Sequence, residues 1–524
     1  MTTRLVATTM PPSAKAVAAL LRDPPEGVDY VELRLDALEQ PSPAEVDALL
    51  ALPRTVPLVV TCRAAAQGGL WQGEEADRLA LLAHAAQGGA DLVDIEDNCL
   101  SELPANLPGE RIASCHLTRF VPRLEALARR LVAHDVAFAK LAVPADAPRQ
   151  LAELLELQEE HADRLAIVPT GRLAEAGRVM AAARGSPLTY GAVDVAEPGH
   201  PDQPDVHRLH EVHNANSLPA GTRFFGVVGR PVAHSMSPAY HNTVFRSIAQ
   251  SARMLPLDVD TLEELLGVAD ALRLDGLAVT HPFKQDAVRM AHSAMPGARG
   301  TGAANTLLRT PAGWQARNTD WKAACDLLPR LLDGWLKGHR EDAPAASWLE
   351  KTLSRAQHKR VTRDEGDPVP RVVLLGSGGA ARALAVALYD EEVELVIWSR
   401  RLSHARTLAD ELAGALPAVA VPDPGHSPGD LVINATPVGL PGVDQGELEG
   451  LSAATFRPGA VALDLTYGDG PSAFRDAAEA AGVPVVSGET FFGLQARRQA
   501  EAFTGGTLAA DLRRRAAAAC GAAG

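Results

Sequence analysis

The chain has 524 residues, of which 46% are hydrophobic and 22% charged, and its formal net charge is −15. This composition is typical of a soluble globular protein of roughly three domains, and the negative charge argues against a nucleic-acid or anionic-membrane partner. Five cysteines without a CxxC pair, no apolar run long enough to span a bilayer and no signal peptide predict a reduced, cytoplasmic metabolic protein.

Between residues 4 and 195, eight short apolar runs alternate with stretches long enough for helices. The runs begin at residues 4, 31, 57, 92, 111, 137, 165 and 188, so successive starts lie 19 to 35 residues apart. That spacing fits one strand, one helix and their loops. Eight such units predict a (β/α)8 TIM barrel rather than a doubly wound sheet.

Polar residues occur within or just after five of these predicted strands, where a packed core would exclude them. Active sites of barrels lie at the C-terminal ends of the strands. Any one of these residues alone is best explained as a salt-bridged rim residue, but together they indicate an active site. They are Glu32, Arg34 and Asp36, then Arg63, Glu96, His116 and Lys140.

Lys140 interrupts the apolar run "VAFAKLAVPAD" at residues 136–146. A lysine is rarely buried without a partner, because removing an ammonium group from water is costly. We expect an apolar shell that leaves a neutral, nucleophilic amine. The alternative is a side chain that extends to the solvated rim.

The polar segment 207–223 is predicted to be a linker. Its three histidines, His207, His210 and His213, recur every third residue. A solvated helix end is favoured over a metal site, because no acidic or thiol ligand completes a set.

A second block begins near residue 222. Its pattern predicts an amphipathic helix over 261–273 and a helix near 321–333, followed by a charged, weakly periodic insertion or linker at 334–369. Within that segment, Trp348 and Leu349 are candidates to anchor a short helix.

The stretch 371–388 reads as a strand, a glycine-rich turn and a helix, the context in which a dinucleotide pyrophosphate is bound. The turn residues are Gly376, Gly378, Gly379 and Ala380. The next strand ends in Ser399, Arg400 and Arg401, where an NAD-binding unit has an acidic residue, so the 2′-phosphate of NADP is favoured. Further strands begin near residues 431 and 460.

Residues 222–524 resemble shikimate dehydrogenase through seven motifs in order, "GRPVAHSMSP", "VTHPFK", "AANTL", "NTD", "NATPVG", "DLTYGDG" and "FFGLQARRQAEAFTG". The resemblance implies a shikimate-binding catalytic domain at 222–333 plus 495–524 and a Rossmann NADP-binding domain at 370–494. It implies Lys284 and Asp320 as the catalytic pair, which exchanges a proton with the substrate oxygen. It also implies substrate contacts from Ser235, Ser237, Thr280, Asn305, Tyr467 and Gln495, and cofactor contacts from Thr436 and Gly488.

Residues 1–210 resemble type I 3-dehydroquinate dehydratase, a (β/α)8 barrel that uses a Schiff-base lysine and a histidine. "AFAKLAV" implies Lys140 as the imine-forming residue and "SCHLT" implies His116 as the base. Substrate contacts are implied for Glu32, Arg34, Arg63 and Arg178.

The barrel half departs from the pattern of that family at two places. Gln67 stands where the family has a glutamate, and the closing loop reads Ala196 to His200 in place of Ser-Ala-Pro-Gly-Gln. We expect an active dehydratase with an altered lid.

Together the two resemblances predict a bifunctional enzyme that dehydrates 3-dehydroquinate to 3-dehydroshikimate and reduces this to shikimate. The expected cofactor is NADP(H), with no metal, no lipid and no macromolecular partner, in a monomer or homodimer. Alternatives are a shikimate or quinate dehydrogenase with an impaired or purely structural barrel, and a non-enzymatic sensor of shikimate or NADP.

Overall fold

A computed structural model describes the chain except for residues 1, 11–13, 40, 105, 195–200, 355–358, 441–447, 449, 469 and 522–524. It consists of two compact units, Met1–Pro238 with Phe245–Asp275 and Ala239–Val244 with Gly276–Gly524. Within the part of the chain that the structure describes, none of the helices combines the length and hydrophobicity needed to cross a membrane.

The first unit contains the predicted barrel, an eight-stranded parallel sheet that curls until it is nearly closed. The strand order is β7-β6-β5-β4-β3-β2-β1-β8, so β1 pairs with both β2 and β8. The inward residues Val6, Val59, Ile112, Ala166 and Tyr190 form its apolar core. The strands are β1 Arg4–Thr9, β2 Tyr30–Arg34, β3 Leu58–Thr61, β4 Leu92–Glu96, β5 Glu110–His116, β6 Phe138–Pro144, β7 Leu165–Thr170 and β8 Leu188–Ala192.

A helix lies in each connection between successive barrel strands, as predicted, except between β4 and β5. These helices are α1 Ala14–Arg22, α2 Pro43–Leu50, α3 Glu75–Gln87, α4 Glu125–Val132, α5 Pro148–Glu160 and α6 Ala174–Ala182. Between β4 and β5 a single 3-10 turn, Leu100–Glu102, takes the place of a helix. This connection is the shortest of the seven and holds Pro104, Pro108 and Gly109, which disfavour helix.

The segment after the barrel is more ordered than a solvated linker. It forms a π-helix at Arg208–Val212 and a 3-10 turn at Ala215–Ser217. The prediction of a solvated helix end is wrong for His213, which is fully buried with its Nε2 atom 2.6 Å from Glu175 Oε1. A buried imidazole requires such a polar partner, whose existence local sequence does not reveal.

The first unit ends with parallel strands β9 Arg223–Gly229 and β10 Ala252–Asp258. Helix α7 spans Ser237–Ser247. Helix α8 covers only Leu262–Gly267, shorter than the predicted 261–273, because the chain leaves the helix after Gly267 and turns into the next strand.

Residues Ala239–Val244 of α7 belong to the second unit, which resumes within strand β11, Leu274–Val279. Strand β11 pairs antiparallel with β13. The following elements are α9 Lys284–Met290, β12 Ser293–Ala294, α10 Pro296–Thr301, β13 Thr306–Thr310, β14 Gly313–Arg317, α11 Thr319–Arg340 and α12 Ala345–Ser354. Helix α11 therefore continues through the first residues of the predicted linker. Trp348 and Leu349 are buried and hold α12 against α11, with the Trp348 ring beside Gly334 and Gly338.

The remaining elements of the second unit form a doubly wound parallel sheet. Its order is β17-β16-β15-β18-β19-β20, the 3-2-1-4-5-6 order whose ligand site lies at the C-terminal ends of the first and fourth strands. The strands are β15 Arg371–Leu375, β16 Glu394–Trp398, β17 Ala418–Val421, β18 Gly429–Asn434, β19 Phe456–Asp464 and β20 Val485–Val486. The helices are α13 Gly379–Ala387, α14 Leu402–Leu412, α15 Ala473–Ala480, α16 Gly488–Thr504 and α17 Ala510–Ala519.

Candidate active sites

Lys140 lies at the centre of the barrel site, with 4% of its surface exposed. Its Nζ atom is 2.7 Å from Asp94 Oδ2 and 3.6 Å from Glu32 Oε1, and it stands over the Tyr190 ring, 4.1 Å from the centroid. The predicted apolar shell is therefore wrong. Two carboxylates and an aromatic face surround the ammonium group, because only such partners offset the cost of burying it.

Asp94 was missed by the sequence reasoning, although it is the residue that holds the site together. It accepts hydrogen bonds from Lys140, from Arg63 at 2.9 Å and from Ser114 at 2.5 Å. Burial raises the pKa of Asp94, but the nearby Arg63, Lys140 and His116 outweigh that effect and hold the pKa far below its usual range. The available signal was its spacing: residues two apart on a strand share a face, so Asp94 points the same way as Glu96.

Arg63 connects this aspartate with the next carboxylate along β4. Its Nη1 atom lies 3.2 Å from Glu96 Oε1 and 2.9 Å from Ser114 Oγ. The other oxygen of Glu96 accepts from Arg78 at 2.6 Å. Burial lowers the pKa of Arg63, but Asp94 and Glu96 raise it above its ordinary value, so the guanidinium stays charged.

Glu32 and Arg34 lie on β2, and partners on neighbouring elements hold their side chains in place. Glu32 accepts hydrogen bonds from Thr8 at 2.7 Å and from Thr61 at 2.8 Å. Arg34 donates two hydrogen bonds to Asp36, at 2.9 and 2.7 Å. A substrate carboxylate that binds Arg34 would therefore compete with Asp36.

His116 ends β5, beside the strand that carries Lys140. Ser114 pairs in register with Lys140, so His116 lies two residues further toward the C-terminal end of the barrel. Its backbone N–H donates to Gln67 Oε1 at 2.8 Å. Burial, reinforced by Arg63 and Lys140, lowers the pKa of His116 well below 6.5. Its Nδ1 atom is buried without a hydrogen-bond partner among the described residues, so the neutral ring can accept a proton.

Arg178 on α6 also lines the site. It donates to Pro169 O at 3.1 Å and to Tyr190 O at 2.5 Å, and burial lowers its pKa to about 10. The cavity bounded by these side chains measures about 60 Å³, well below the roughly 300 Å³ at which ligand pockets begin. The departures at Ala196 and His200 lie outside the described residues.

The second candidate site is built around Lys284 and Asp320. Lys284 begins α9, Asp320 lies in the first turn of α11, and the two side chains form an ion pair of 2.7 Å between Nζ and Oδ2. The backbone holds the lysine in place, because its carbonyl accepts from Ala304 N at 2.7 Å.

An amide network fixes the aspartate of that pair. Asn305 Nδ2 lies 2.9 Å from Asp320 Oδ1 and 3.2 Å from Gln495 Oε1. Thr319, which the sequence reasoning did not select, donates its backbone N–H to Asn305 Oδ1 at 2.8 Å. The structure thus brings together four residues predicted from motifs as far as 211 residues apart, Lys284 to Gln495.

Other predicted substrate residues are placed less tightly. Thr280 follows β11, four residues before Lys284. The ring of Tyr467 contacts that of Phe492, with centroids 6.0 Å apart. Ser235 and Ser237 belong to the first unit, where Ser237 N donates to Ser235 Oγ at 3.2 Å.

The glycine-rich turn follows β15 at the edge where a dinucleotide is expected. Gly376 has φ +117, and a Cβ there would lie 2.9 Å from Ala435 O, so this position requires glycine. Gly378 caps α13 and faces open space, and Ala380 is the second residue of the helix. A Cβ at Gly379 would lie 2.7 Å from Lys284 Cβ, so this turn packs against the candidate catalytic lysine.

The other predicted cofactor residues number five. Ser399 accepts from Ser377 at 3.0 Å, and Arg400 and Arg401 follow as exposed side chains. Thr436 donates to Asn434 Oδ1 at 2.6 Å. Gly488 has a packing role, because a Cβ there would lie 2.1 Å from the Thr466 carbonyl.

The charge of Arg400 also affects His281, a residue that the sequence did not single out. Partial desolvation, together with the charges of Lys284 and Arg400, lowers the pKa of His281. The charges of the candidate catalytic lysine and of the arginine that follows β16 therefore both act on this imidazole. Among the described residues, no group of three or more histidine, cysteine, aspartate or glutamate side chains is arranged to hold a metal ion.

Two family models match the chain in the order expected from its motifs. Type I 3-dehydroquinase matches residues 5–218, and the shikimate dehydrogenase substrate binding domain matches residues 227–307.

Curated relatives match either the whole chain or its second half. A bifunctional 3-dehydroquinate dehydratase/shikimate dehydrogenase, chloroplastic, of Arabidopsis thaliana is 28% identical over 91% of this chain and 78% of its own. A shikimate dehydrogenase (NADP(+)) of Anaeromyxobacter sp. (strain K) is 37% identical over 54% of this chain and 90% of its own. Among solved structures, the dehydroquinate dehydratase and shikimate dehydrogenase of S. pombe AroM is 19% identical over 98% of each chain, with a TM-score of 0.40.

Proposed function

Because the chain belongs to the shikimate dehydrogenase family and carries a type I 3-dehydroquinase domain, we propose that it catalyses two consecutive reactions. The barrel dehydrates 3-dehydroquinate to 3-dehydroshikimate, and the second half reduces 3-dehydroshikimate to shikimate with NADPH. The observation that carries this proposal is the presence of a buried Lys140 beside a neutral His116 and of a Lys284–Asp320 ion pair in one chain.

In the dehydratase reaction, Lys140 attacks the C3 ketone and forms an imine with loss of water. Before the attack the lysine ammonium loses a proton to the neutral imidazole of His116, which returns it to the C3 hydroxyl that leaves as water, while Asp94 stays ionised and orients the Nζ atom. The imine acidifies the proton at C2, His116 removes it, and the C1 hydroxyl leaves as water. Hydrolysis of the imine releases the product. Arg34 and Arg178 bind the carboxylate and hydroxyl groups of the substrate.

In the dehydrogenase reaction, Lys284 donates a proton to the carbonyl oxygen of the substrate as that oxygen becomes a hydroxyl. Asp320 keeps the lysine charged and oriented, and Asn305 with Gln495 keeps the carboxylate in place. Ser235 and Ser237 donate hydroxyl hydrogen bonds to the substrate carboxylate, and Thr280 and Tyr467 contact the ring hydroxyls.

NADPH supplies the hydride when it is bound. The glycine turn fits its pyrophosphate, because Gly378 opens to free space at the start of a nine-residue helix. Exposed Arg400 and Arg401 would bind the 2′-phosphate, with Ser399 and Thr436 beside them. We therefore assign residues 370–494 to a Rossmann NADP-binding domain.

We also propose a cytoplasmic location and a monomeric or homodimeric state. The cysteines support the location: Cys62, Cys99 and Cys115 are buried, Cys325 and Cys520 are partly buried, and all five are free thiols.

A coupled assay tests both activities in one signal. With 3-dehydroquinate and NADPH, the full chain should consume NADPH and form shikimate. Lys140→Ala should abolish this signal but leave the reduction of added 3-dehydroshikimate intact. Lys284→Ala should also abolish the coupled signal and the reduction of added 3-dehydroshikimate, but leave the dehydration of 3-dehydroquinate intact, so each variant serves as the folding control for the other. Full turnover by Lys284→Ala would overturn the assignment of this lysine, whereas a parent chain that binds shikimate without consuming NADPH would favour the sensor.

A second candidate is a dehydrogenase whose barrel is structural, and the replacement of the family's glutamate by Gln67 favours it. Borohydride reduction in the presence of 3-dehydroquinate distinguishes the two. A covalent adduct on Lys140, found by peptide mass spectrometry, supports an active barrel, and its absence supports the structural one. If the lid is altered, Ala196→Ser with His200→Gln should change kcat or KM of dehydration.

A further inference from the structure

A large cavity in the second unit lies between four helices and takes no part in the mechanism above. Its volume is about 890 Å³, within the range of small-molecule sites. Helices α11, α12, α16 and α17 form its walls. One of these, α12, belongs to the segment 334–369 that neither resemblance explains, so the cavity depends on a helix particular to this segment.

The cavity combines apolar walls with an excess of positive charge. Leu327, Leu349, Leu353 and Leu494 provide the apolar surface. Its charged lining residues are Arg330, Arg497, Arg513 and Arg514 against Asp326 and Glu350. In a chain with a net charge of −15, four arginines around one cavity are an uncommon concentration of positive charge.

The carboxylates of the lining leave the Nε atoms of Arg497 and Arg513 without a hydrogen-bond acceptor. Asp326 Oδ2 lies 2.5 Å from Arg498, which is outside the lining, but 3.8 Å from Arg497. The Nε atoms of Arg497 and Arg513 are buried, and neither has a hydrogen-bond partner among the described residues. A buried donor without an acceptor is costly, and an arginine donor is best satisfied by an oxyanion.

Tyr240, on α7, adds a polar group to the lining of the cavity. The side chain is 1% exposed, and burial raises the pKa of its hydroxyl to about 12, so it remains protonated. Arg497 and Arg513 are close enough to influence that hydroxyl electrostatically. The three side chains thus converge on one region of an otherwise apolar space.

We propose that this cavity binds an amphipathic organic anion, with a ring-sized apolar body against the leucines and one oxyanion group on Arg497 and Arg513. Carboxylate, sulfonate and phosphate esters share the required chemistry. The occupant is a small molecule rather than a second copy of the chain, because the Nε atoms of Arg497 and Arg513 are buried and only a group small enough to enter the cavity can reach them.

The test uses the full chain and 8-anilinonaphthalene-1-sulfonate, a fluorescent arylsulfonate, with NADP+ and shikimate at saturation to fill the catalytic cleft. We expect one saturable site per chain. The neutral analogue N-phenyl-1-naphthylamine, which lacks the sulfonate, should bind at least about tenfold more weakly, the loss expected for one charge-assisted hydrogen bond. Equal affinity for the two probes would overturn the proposal.

Matched variants on one helix locate the site. Arg513→Gln should weaken sulfonate binding about tenfold, whereas Arg515→Gln, an exposed position on α17 paired with Asp511, should leave it unchanged. Ala346→Trp, at an exposed position of α12 that lines the cavity, should block both probes without disturbing the core. Equal effects of the two arginine variants, or no saturable binding, would overturn the proposal. The proposal would also be overturned if Ala346→Trp changed the molar mass of the protein in light scattering but left the affinity for the probe unchanged, because the cavity would then belong to an interface between copies of the chain.

Discussion

Replacing Gly379 by alanine tests whether the dinucleotide turn positions the catalytic lysine. A Cβ at Gly379 would lie 2.7 Å from Lys284 Cβ and 2.9 Å from Lys284 Cδ, whereas ordinary contacts begin at 3.4 Å. The lysine stem must therefore move by about 0.7 Å to remove the overlap. Because Lys284 begins a helix whose backbone is anchored at Ala304, we expect the side chain to shift away from Asp320.

A displacement of this size is expensive for a proton-transfer group. A shift of about 1 Å costs on the order of 100-fold in rate, or about 2.7 kcal/mol of transition-state stabilisation. We expect kcat for shikimate oxidation by Gly379→Ala to fall roughly 50- to 100-fold. The dehydratase activity of the same preparation should stay unchanged and reports that the protein is folded.

Gly378→Ala is the matched control. Gly378 lies in the same turn and has φ −78, which alanine tolerates, and a Cβ there meets nothing within 4 Å. Its kcat should stay near that of the parent, with any loss confined to the KM for NADP+. If Gly379→Ala turned over like the parent, or if the two variants lost kcat equally, the packing argument would be refuted.

Three further outcomes follow from the structure. Asp94→Asn removes the partner shared by Lys140 and Arg63, so it should cost about 3 kcal/mol in urea unfolding and abolish dehydration; undiminished stability would contradict the ion-pair network. The buried His116 has a lowered pKa, so its ring should stay neutral from pH 7 down through 6.5; an NMR titration midpoint at or above 6.5 would exclude this. Trp348→Ala should lower the free energy of unfolding of the second unit, measured in urea, by about 3 kcal/mol. A decrease of less than about 1 kcal/mol would show that α12 is dispensable for stability.

Much of the fold could be read from local patterns. The eight apolar runs predicted the eight barrel strands, and the glycine turn with its flanking strand and helix predicted the start of the doubly wound sheet. Both signals are short-range, because a strand or a βα turn depends on residues within about 10 to 20 positions. Helix lengths were less accessible: α8 stops at Gly267, and α11 runs on to Arg340 because its buried face continues through Leu336.

The candidate sites divide in the same way. Lys140, His116, Lys284 and Asp320 were predicted, because their residue types are unusual in their local sequence or because motifs carry them. Thr319 and Asp94 were missed, although both take part directly in the hydrogen-bond networks. Thr319 is not unusual where it stands, and the only local signal for Asp94 is the strand face that it shares with Glu96. The partners of both residues lie on different elements.

By itself, the sequence determined two α/β folds in tandem and the residue types available for two chemistries. The tertiary structure alone decided what surrounds each reactive group. Lys140 meets a carboxylate 46 positions earlier in the chain because parallel strands bring β4 and β6 to opposite sides of β5. Gly379 touches Lys284 because two separate elements close on each other, and no local pattern encodes either distance.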